Sequence, residues 1–326
     1  MIAEFTRFIR REPSVAVAYI VLAVIVVGWI LATPRIGILP ITNTLGQKLP
    51  LVCVTIGAAI VLISRGVDLS IGGTLTLVNV IIAKGASADG NVALWAFVAL
   101  LAALAAGALN GVLVAWWRLS PLIVTLATQS VLFGVALYVL PIPGGEVPSW
   151  FSRLPLLLIG PIPLVGLLMV LVPLLFWWPL KRSPYGLALY AVGNDEGAAF
   201  TSGIRVRLVT ASAYVLAAFF AWLGGLFLTM NAGAGDPAIG TPFTLNAIAA
   251  AVIGGVALSG GRGTIVGAVA GALILSFINN LLFALGVSVY WQYLATGVLL
   301  LAALAVPFVI DRLQASRFPA RQRSAL

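Results

Sequence analysis

The chain has 326 residues, of which 62% are hydrophobic and only 8% are charged, and its formal net charge is +9. Soluble domains carry about 25% charged residues, so most of this surface is expected to face lipid. Histidine is absent and Cys53 is the only cysteine, which excludes a structural zinc site, Ser-His or Cys-His catalysis and an intrachain disulfide. We predict no catalytic residue, no metal and no cofactor.

Ten apolar runs follow one another along the chain. Because backbone polar groups in lipid must be paired internally, and because crossing a bilayer takes about 20 residues, each run predicts a membrane helix. The runs cover residues 15–31, 49–64, 70–84, 92–117, 121–140, 163–179, 208–230, 243–259, 264–285 and 291–310. We therefore predict an all-α polytopic membrane protein with about ten transmembrane helices in a single domain, 1–326. The first run follows three arginines, as in a signal peptide, but its length and the absence of a small-residue cleavage motif favour an uncleaved helix.

The basic residues predict an orientation in the membrane. With the N-terminus in the cytoplasm, 14 of the 18 basic residues fall in cytoplasmic segments, and Arg35, Lys48, Lys84 and Arg153 fall in outer segments. The opposite orientation would contradict the positive-inside bias. Both tails, 1–14 and 311–326, are then cytoplasmic. Since the charges lie at the ends of apolar runs and form no patch interleaved with aromatic residues, nucleic-acid binding is not predicted.

One polar stretch, Gly66–Gly73, interrupts the apolar runs and has a faint copy downstream in Asp236–Leu245. At an offset of 168 residues Asp68 matches Asp236, Gly72 matches Gly240 and Thr76 matches Thr244, and 126–128 matches 294–296. An odd number of helices per half inverts the second copy, as in transporters built from inverted repeats. We predict two five-helix repeats, about 15–140 and 163–310. The predicted helix breaks or gates comprise Asp68, Ser70, Gly72, Gly73, Asp236 and Gly240. For Asp68 alone, three roles stay open: capping the helix that starts at Ser70, pairing with Arg65, or gating.

The longest predicted cytoplasmic connection covers residues 181–207. Asn194 or Asp195 can cap a short helix that begins at about Glu196, and Gly203 can end it. The alanines at 198 and 199 would give this helix a small-residue face. A connector needs only a few residues, so this length predicts a docking surface; a segment lying on the membrane is the alternative.

A solute pathway needs polar partners inside the membrane. The candidates are Asn79, Thr125, Thr128, Trp222, Asn246, Asn279 and Asn280. Each amide or hydroxyl can equally form an interhelical hydrogen bond, and the tryptophan can pack against helices or lipid instead of facing a pathway. No acidic residue falls in the middle of a run, which argues against a proton-coupled carrier and for an uncharged solute.

Five motifs, in this order, resemble a known family. They are GVDLSIGG at 66–73, LNGVLV at 109–114, SPLIVTLAT at 120–128, YAVGNDEGAA at 190–199 with SGI at 202–204, and AAVIGGV at 250–256 followed by SGGRGT at 259–264. The set resembles the permease subunit of bacterial ATP-binding-cassette (ABC) sugar importers of the ribose/xylose/galactose type, which are related to branched-chain amino acid permeases. The resemblance covers residues 45 to 306.

This resemblance implies transport of a monosaccharide across the bacterial inner membrane, driven by ATP hydrolysis on a partner. The implied partners are a second permease copy, two cytoplasmic ATPase subunits or one fused double ATPase, and a periplasmic or extracellular sugar-binding protein. It implies an ATPase-coupling role for Gly193, Asn194, Glu196, Ala198, Ala199, Gly203 and Ile204. The chain has no phosphate-binding Gly-x-x-x-x-Gly-Lys-Ser/Thr loop of its own. Branched-chain amino acids or nucleosides are the alternative solutes, and a secondary carrier or a membrane enzyme is the alternative class.

Overall fold

The computed structural model describes residues 13–33, 37–299, 301 and 305, and helices dominate it. Most of the predicted tail 1–14 and the whole tail 311–326 lie outside these residues. The helices are α1 (Pro13–Ala32), α2 (Ile38–Ile63), α3 (Ile71–Asp89), α4 (Val92–Ala115), α5 (Pro121–Val139), α6 (Ser149–Ser152), α7 (Leu164–Arg182), α8 (Pro184–Asn194), α9 (Glu196–Thr201), α10 (Val206–Ala232), α11 (Thr241–Ile253), α12 (Ile265–Ala284) and α13 (residues 289–299). The prediction of an all-α polytopic membrane protein is confirmed.

Eight of the described helices, α1–α5, α7, α10 and α12, are long and apolar enough to cross a membrane. The ninth apolar helix, α11, has only 13 residues, and the described part of the tenth run is α13. Each of the ten predicted runs thus contains a helix. The run 243–259 was predicted six residues too long at its end, because the glycine-rich turn 254–263 stops α11 at Ile253.

Helix α2 is much longer than its predicted run, 49–64, because it begins at Ile38 and continues through Pro50. It is buried along most of its length and packs against α10, α12, α11 and α7. Helices α1, α4, α5 and α7 are mostly exposed along their apolar faces, as expected for helices in contact with lipid. The core of the described bundle is therefore formed around α2 and α10.

Lys48 lies inside α2 and is only 8% exposed. Its Nζ donates a hydrogen bond to Asn280 Oδ1 at 2.7 Å and lies 5.9 Å from the centroid of the Phe277 ring. The prediction that Lys48 lies in an outer segment is therefore wrong. The polar residues around it suggested a loop, but they belong to a helix that other helices cover.

Several turns meet at one end of the bundle. The Gly261 N–H donates to the Ile63 carbonyl oxygen at 2.9 Å, which joins the turn after α11 to the end of α2. The Asn194 amide donates to the Gly261 carbonyl oxygen at 3.4 Å and brings α8 to the same place. We call this end the basic face, because its turns and the start of α10 carry Arg65, Arg118, Arg205, Arg207 and Arg262.

Short strands occupy the opposite face. Strand β1 (Gly144–Glu146) pairs antiparallel with β4 (Ala234–Gly235). Strands β2 (Leu158–Ile159) and β3 (Ile162–Pro163) form a second antiparallel pair. The β1–β4 pair crosses from the loop after α5 to the end of α10, so it ties the two halves of the chain together.

Candidate functional site

The two polar stretches meet where α3 and α11 begin. A Cβ atom added to Gly72 would lie 2.6 Å from the Gly240 carbonyl oxygen, and one added to Gly240 would overlap the Gly72 carbonyl oxygen. Only glycine permits so close an approach of two backbones. The two predicted breaks are therefore in contact inside the bundle.

Contacts around the two glycines are reciprocal. The Gly240 N–H donates to Thr76 Oγ1 at 3.0 Å, and Thr76 Oγ1 donates to the Gly72 carbonyl oxygen at 2.9 Å. On the other side Thr244 Oγ1 lies against Gly72 and accepts a hydrogen bond from Gln129 Nε2 at 3.1 Å. Gly72 thus faces Thr244 while Gly240 faces Thr76. The two glycines are 168 residues apart, and so are the two threonines.

Asp68 and Asp236 form the same local turn. Asp68 Oδ1 accepts the Ser70 N–H at 2.8 Å, and Asp236 Oδ1 accepts the Ala238 N–H at 2.8 Å. Asp68 also accepts the Ser70 hydroxyl at 2.6 Å. It therefore stabilises the approach to α3 and forms no ion pair with Arg65, whose exposed side chain lines a cavity on the basic face.

Asp68 is 4% exposed, whereas Asp236 is half-buried. Burial raises the pKa of the Asp68 carboxyl to about 6, although the hydrogen bonds from Ser70 oppose this rise. A hydrogen-bond chain leads away from this carboxylate: Asn110 Nδ2 donates to Ser70 Oγ at 2.8 Å, and Thr128 Oγ1 donates to Asn110 Oδ1 at 2.6 Å. These hydrogen bonds link α5 and α4 to the start of α3.

A similar Asn–Thr pair occurs in the second half, where Thr296 Oγ1 donates to Asn279 Oδ1 at 3.1 Å. Thr296 follows Thr128 by 168 residues and Asn279 follows Asn110 by 169. This second pair lines an open cleft of about 430 Å³ between α11, α12 and α13. The cleft is lined by Thr241, Pro242, Leu245, Asn246, Asn279, Val289, Gln292, Tyr293, Thr296 and Gly297.

The predicted pathway residues do not lie together. Asn246 and Asn279 line the cleft. Asn280, on the next position of α12, accepts the hydrogen bond from Lys48. The indole N–H of Trp222 donates to the Ala96 carbonyl oxygen at 2.9 Å.

The other three pathway candidates are buried and hydrogen-bonded. The Asn79 amide donates to Thr229 Oγ1 and to the Ala234 carbonyl oxygen, both at 3.0 Å, and its Oδ1 accepts the Asp236 N–H at 2.9 Å. Thr125 Oγ1 accepts the Leu69 N–H at 3.0 Å, and Thr128 belongs to the Asn110 pair described above. These side chains hold helices together through hydrogen bonds.

Gln292, Tyr293 and Thr296 were not among the predicted pathway residues, although they line the cleft. A signal for Thr296 was present, since the 168-residue offset matches it to Thr128. For Gln292 and Tyr293 no such signal exists, because their counterparts at that offset, Val124 and Thr125, differ in chemistry.

The segment 183–205 on the basic face folds into α8 and α9. Ser183 Oγ accepts the Gly186 N–H and caps α8, while Asp195 Oδ1 accepts the Ala198 N–H at 2.9 Å and caps α9. After α9, Gly203 has φ +82°, and the Ile204 N–H donates back to the Ala199 carbonyl oxygen at 3.1 Å. The predicted short helix from Glu196, ended at Gly203, is confirmed.

The seven residues predicted to couple to an ATPase differ in exposure. Asn194, Glu196, Ala198 and Gly203 are exposed, Ile204 is half-buried, and Gly193 and Ala199 are buried. A Cβ at Gly193 would overlap the Ile63 carbonyl oxygen, so this glycine holds the segment against the bundle. The prediction that Ala198 and Ala199 form one small-residue face is wrong for Ala199, because this side chain points into the core while Ala198 is exposed. Phe200, 73% exposed, is the large side chain on the outer surface of α9.

Comparisons with known proteins agree with this architecture. The family model described as branched-chain amino acid transport system / permease component matches residues 40–304. The ribose import permease protein RbsC of Escherichia coli (strain K12) is 33% identical over 311 residues, which cover 93% of this chain and 95% of that protein. RbsC of Bacillus subtilis (strain 168) is 34% identical over 82% of this chain and 84% of that protein.

The D-allose transport system permease protein AlsC of Escherichia coli (strain K12) is 33% identical over 83% of this chain and 84% of that protein. No solved structure matches the chain. The family match covers most of the described helices, including the paired breaks and the α8–α9 segment. The three relatives match between 82% and 93% of this chain. The chain therefore belongs to the permease component family of the branched-chain amino acid transport systems.

Proposed function

We propose that this chain is the membrane-spanning permease subunit of an ABC importer for a monosaccharide. The observation that carries the proposal is the 33% identity to permeases named for ribose, over 93% of this chain, and for D-allose, over 83% of it. The chain forms the passage, and a partner ATPase hydrolyses ATP. A sugar-binding protein on the outer side delivers the solute, so contacts inside the permease need only be weak.

The cleft of about 430 Å³ is our candidate for the outer part of the passage. Amide and hydroxyl groups of Asn246, Asn279, Gln292 and Thr296 line it together with the ring of Tyr293. Neutral donors and acceptors beside an aromatic ring suit a polyhydroxylated, uncharged ligand. None of the residues that line this cleft is charged, which supports a sugar as the solute.

We place the gate at the contact between Gly72 and Gly240. The reciprocal Gly–Thr contacts and the two equivalent aspartate turns support a pseudo-two-fold relation between the predicted repeats. Half-helices that begin inside the membrane and point in opposite directions are typical of transporters whose two repeats move against each other. Asp68 and Ser70 belong to this hinge, and Gly73 packs beside Gln129.

The basic face is proposed to be cytoplasmic, with both chain termini on that side, because it carries most of the arginines in the described part of the chain. The exposed surface of α9 is then the contact with the ATPase, and two permease copies share either two ATPase subunits or one fused double ATPase. The opposite face, with the β1–β4 pair and the mouth of the cleft, receives the solute-binding protein.

Branched-chain amino acids are the second candidate solutes, because the family model is described by that transport. An amino acid carries an ammonium and a carboxylate group, and both need charged or strongly polar partners when they leave water. The lining of the cleft supplies amides and hydroxyls but no charge, so the sugar is favoured.

The test is uptake into proteoliposomes that contain this chain, the ATPase and the binding protein encoded beside it. Labelled ribose, D-allose and leucine are compared, with an ATPase variant that lacks its phosphate-binding lysine as the negative control. Asn246→Ala should reduce sugar uptake, whereas Ser130→Ala, an exposed residue of α5 outside the cleft, should not. Sugar uptake that continues without a working ATPase would refute the importer class, and uptake of leucine alone would refute the sugar.

A further inference from the structure

A second cavity, of about 320 Å³, opens on the basic face between the ends of α2 and α4 and the starts of α9 and α10. Three arginines line it, Arg65, Arg118 and Arg207, and the only acidic residue among its lining residues is Glu196. The lining therefore carries a net charge of +2. Because like charges that converge on one concave surface repel one another, this arrangement calls for an anion.

Two of these arginines have left-handed backbone conformations, with φ 66° at Arg65 and φ 53° at Arg118. They are the only non-glycine residues with positive φ in the described part of the chain, where ten further positions of this kind are all glycine. Glycine adopts this conformation without strain, and a long side chain does not. Strained residues of this kind cluster at ligand sites, and here both strained residues line one cavity.

Arg65 and Arg118 each follow the C-terminus of a helix, where a cation interacts favourably with the carbonyl groups. Arg207 differs, because it lies in the first turn of α10, which begins at Val206. A cation at a helix N-terminus is unfavourable. Helix-end electrostatics therefore explains two of the arginines but not the third, and a bound anion would stabilise all three.

Two tryptophans beside the cavity indicate that it is close to the membrane interface. Trp116 and Trp117 immediately precede Arg118 and are 40% and 68% exposed, and paired tryptophans at a helix end mark the membrane interface. Leu119 and Pro121 give the cavity an apolar wall beside its guanidinium groups. An acyl chain can follow the wall while a phosphate contacts the arginines. Basic pockets between membrane helices on this side bind anionic headgroups in other proteins.

We propose that this cavity binds a phosphate group, supplied by the headgroup of an anionic phospholipid in the leaflet at the basic face. Guanidinium groups bind phosphate oxygens in pairs of hydrogen bonds. Glu196, at the start of α9, lines the same cavity, so a bound headgroup would lie beside the segment proposed to contact the ATPase. A free phosphate ion has the same chemistry and is the other possible source. The inference stands independently of which solute is transported.

The experiment uses the delipidated full-length chain in detergent. Native mass spectrometry measures binding of phosphatidylglycerol, with phosphatidylcholine as the zwitterionic comparison, and inorganic phosphate is tested as a competitor. The variants are Arg118→Gly and Arg207→Gln, with Arg205→Gln as the matched control, because Arg205 is an exposed arginine of the same segment that does not line the cavity. A basic residue near the surface contributes about 1 kcal/mol to anionic lipid binding, so each cavity variant should bind phosphatidylglycerol about fivefold more weakly.

Arg118→Gly separates binding from folding. Glycine fits the left-handed position, so the variant should melt no lower than the wild type while it loses lipid affinity. Binding of phosphate alone, lost in both cavity variants, would support the site with soluble phosphate as its source. Unchanged phosphatidylglycerol binding in both cavity variants, or an equal loss in Arg205→Gln, would overturn the proposal. The proposal would also be overturned if the cavity variants kept lipid and phosphate binding but no longer co-purified with the ATPase. The cavity would then accept a carboxylate of the ATPase.

Discussion

The contact between the starts of α3 and α11 makes a strong prediction for Gly72→Ala. The new Cβ atom would lie 2.6 Å from the Gly240 carbonyl oxygen, whereas ordinary contacts begin at 3.4 Å. The two backbones must therefore separate by about 0.8 Å, the difference between these distances. Thr244 Oγ1 also lies against this position and is held by its hydrogen bond from Gln129, so it cannot move aside without losing that bond.

Overpacking of a tight interior costs about 1–3 kcal/mol, and we expect Gly72→Ala to lower the free energy of unfolding by that amount. Gly134→Ala in α5 is the matched control, since nothing lies within 4 Å of an added Cβ there and alanine favours a helix. Thermal or denaturant unfolding in detergent measures the stability of both variants. Solute uptake measures whether the proposed gate still functions. A Gly72→Ala protein as stable as Gly134→Ala would refute the close contact between the two helix starts.

Three further predictions concern single side chains. Burial raises the pKa of Asp68 to about 6 from its ordinary value of 3.8, so the folded chain binds a proton more tightly than the unfolded chain and stability should fall as pH rises between these values; Asp68→Asn should remove this slope in unfolding measured from pH 4 to 7. Ala198→Lys, on the exposed surface of α9, should leave the protein in the membrane but abolish solute-stimulated ATP hydrolysis, and unaltered transport would reject the coupling role. Lys48→Met leaves Asn280 Oδ1 without its donor, so a double-mutant cycle with Asn280→Leu should give a coupling energy of about 1–3 kcal/mol in unfolding experiments.

Local signals in the sequence were sufficient for much of the fold. Long apolar runs located ten helices because lipid-facing segments must be apolar and internally hydrogen-bonded. The cap at Asp195 and the stop at Gly203 were readable because capping depends on residues three or four positions apart. The repeat offset of 168 residues identified both glycines that touch, since close backbone contact tolerates no other residue.

Burial against other helices could not be predicted from these signals. Hydropathy measures how well a segment suits contact with lipid. Helix α2 is covered by other helices instead, so it can carry Thr42, Gln47 and Lys48 in its first half. Its start was therefore placed eleven residues too late. The same limit applies to α9, where neighbouring alanines look equivalent in sequence and only the packed structure shows that Ala199 faces inward. The hydrogen bonds that join Asn79 to the Ala234 carbonyl oxygen and to the Asp236 N–H likewise depend on tertiary contacts.

The two predicted repeats each contain an Asn–Thr hydrogen bond, but the surroundings of these two bonds differ. In the first half the Asn110–Thr128 hydrogen bond is buried and continues through Ser70 to Asp68. In the second half the matching Asn279–Thr296 hydrogen bond lines an open cleft. If the cleft is the outer part of the passage, as we propose, a passage closed near the first pair and open near the second would give access from one side only. Because Gly72 and Gly240 are in contact, we expect a movement that closed the cleft to displace the proposed hinge of the first half. The two predicted repeats thus match in sequence but differ in conformation. This is consistent with a transporter whose two repeats exchange their conformations during the transport cycle.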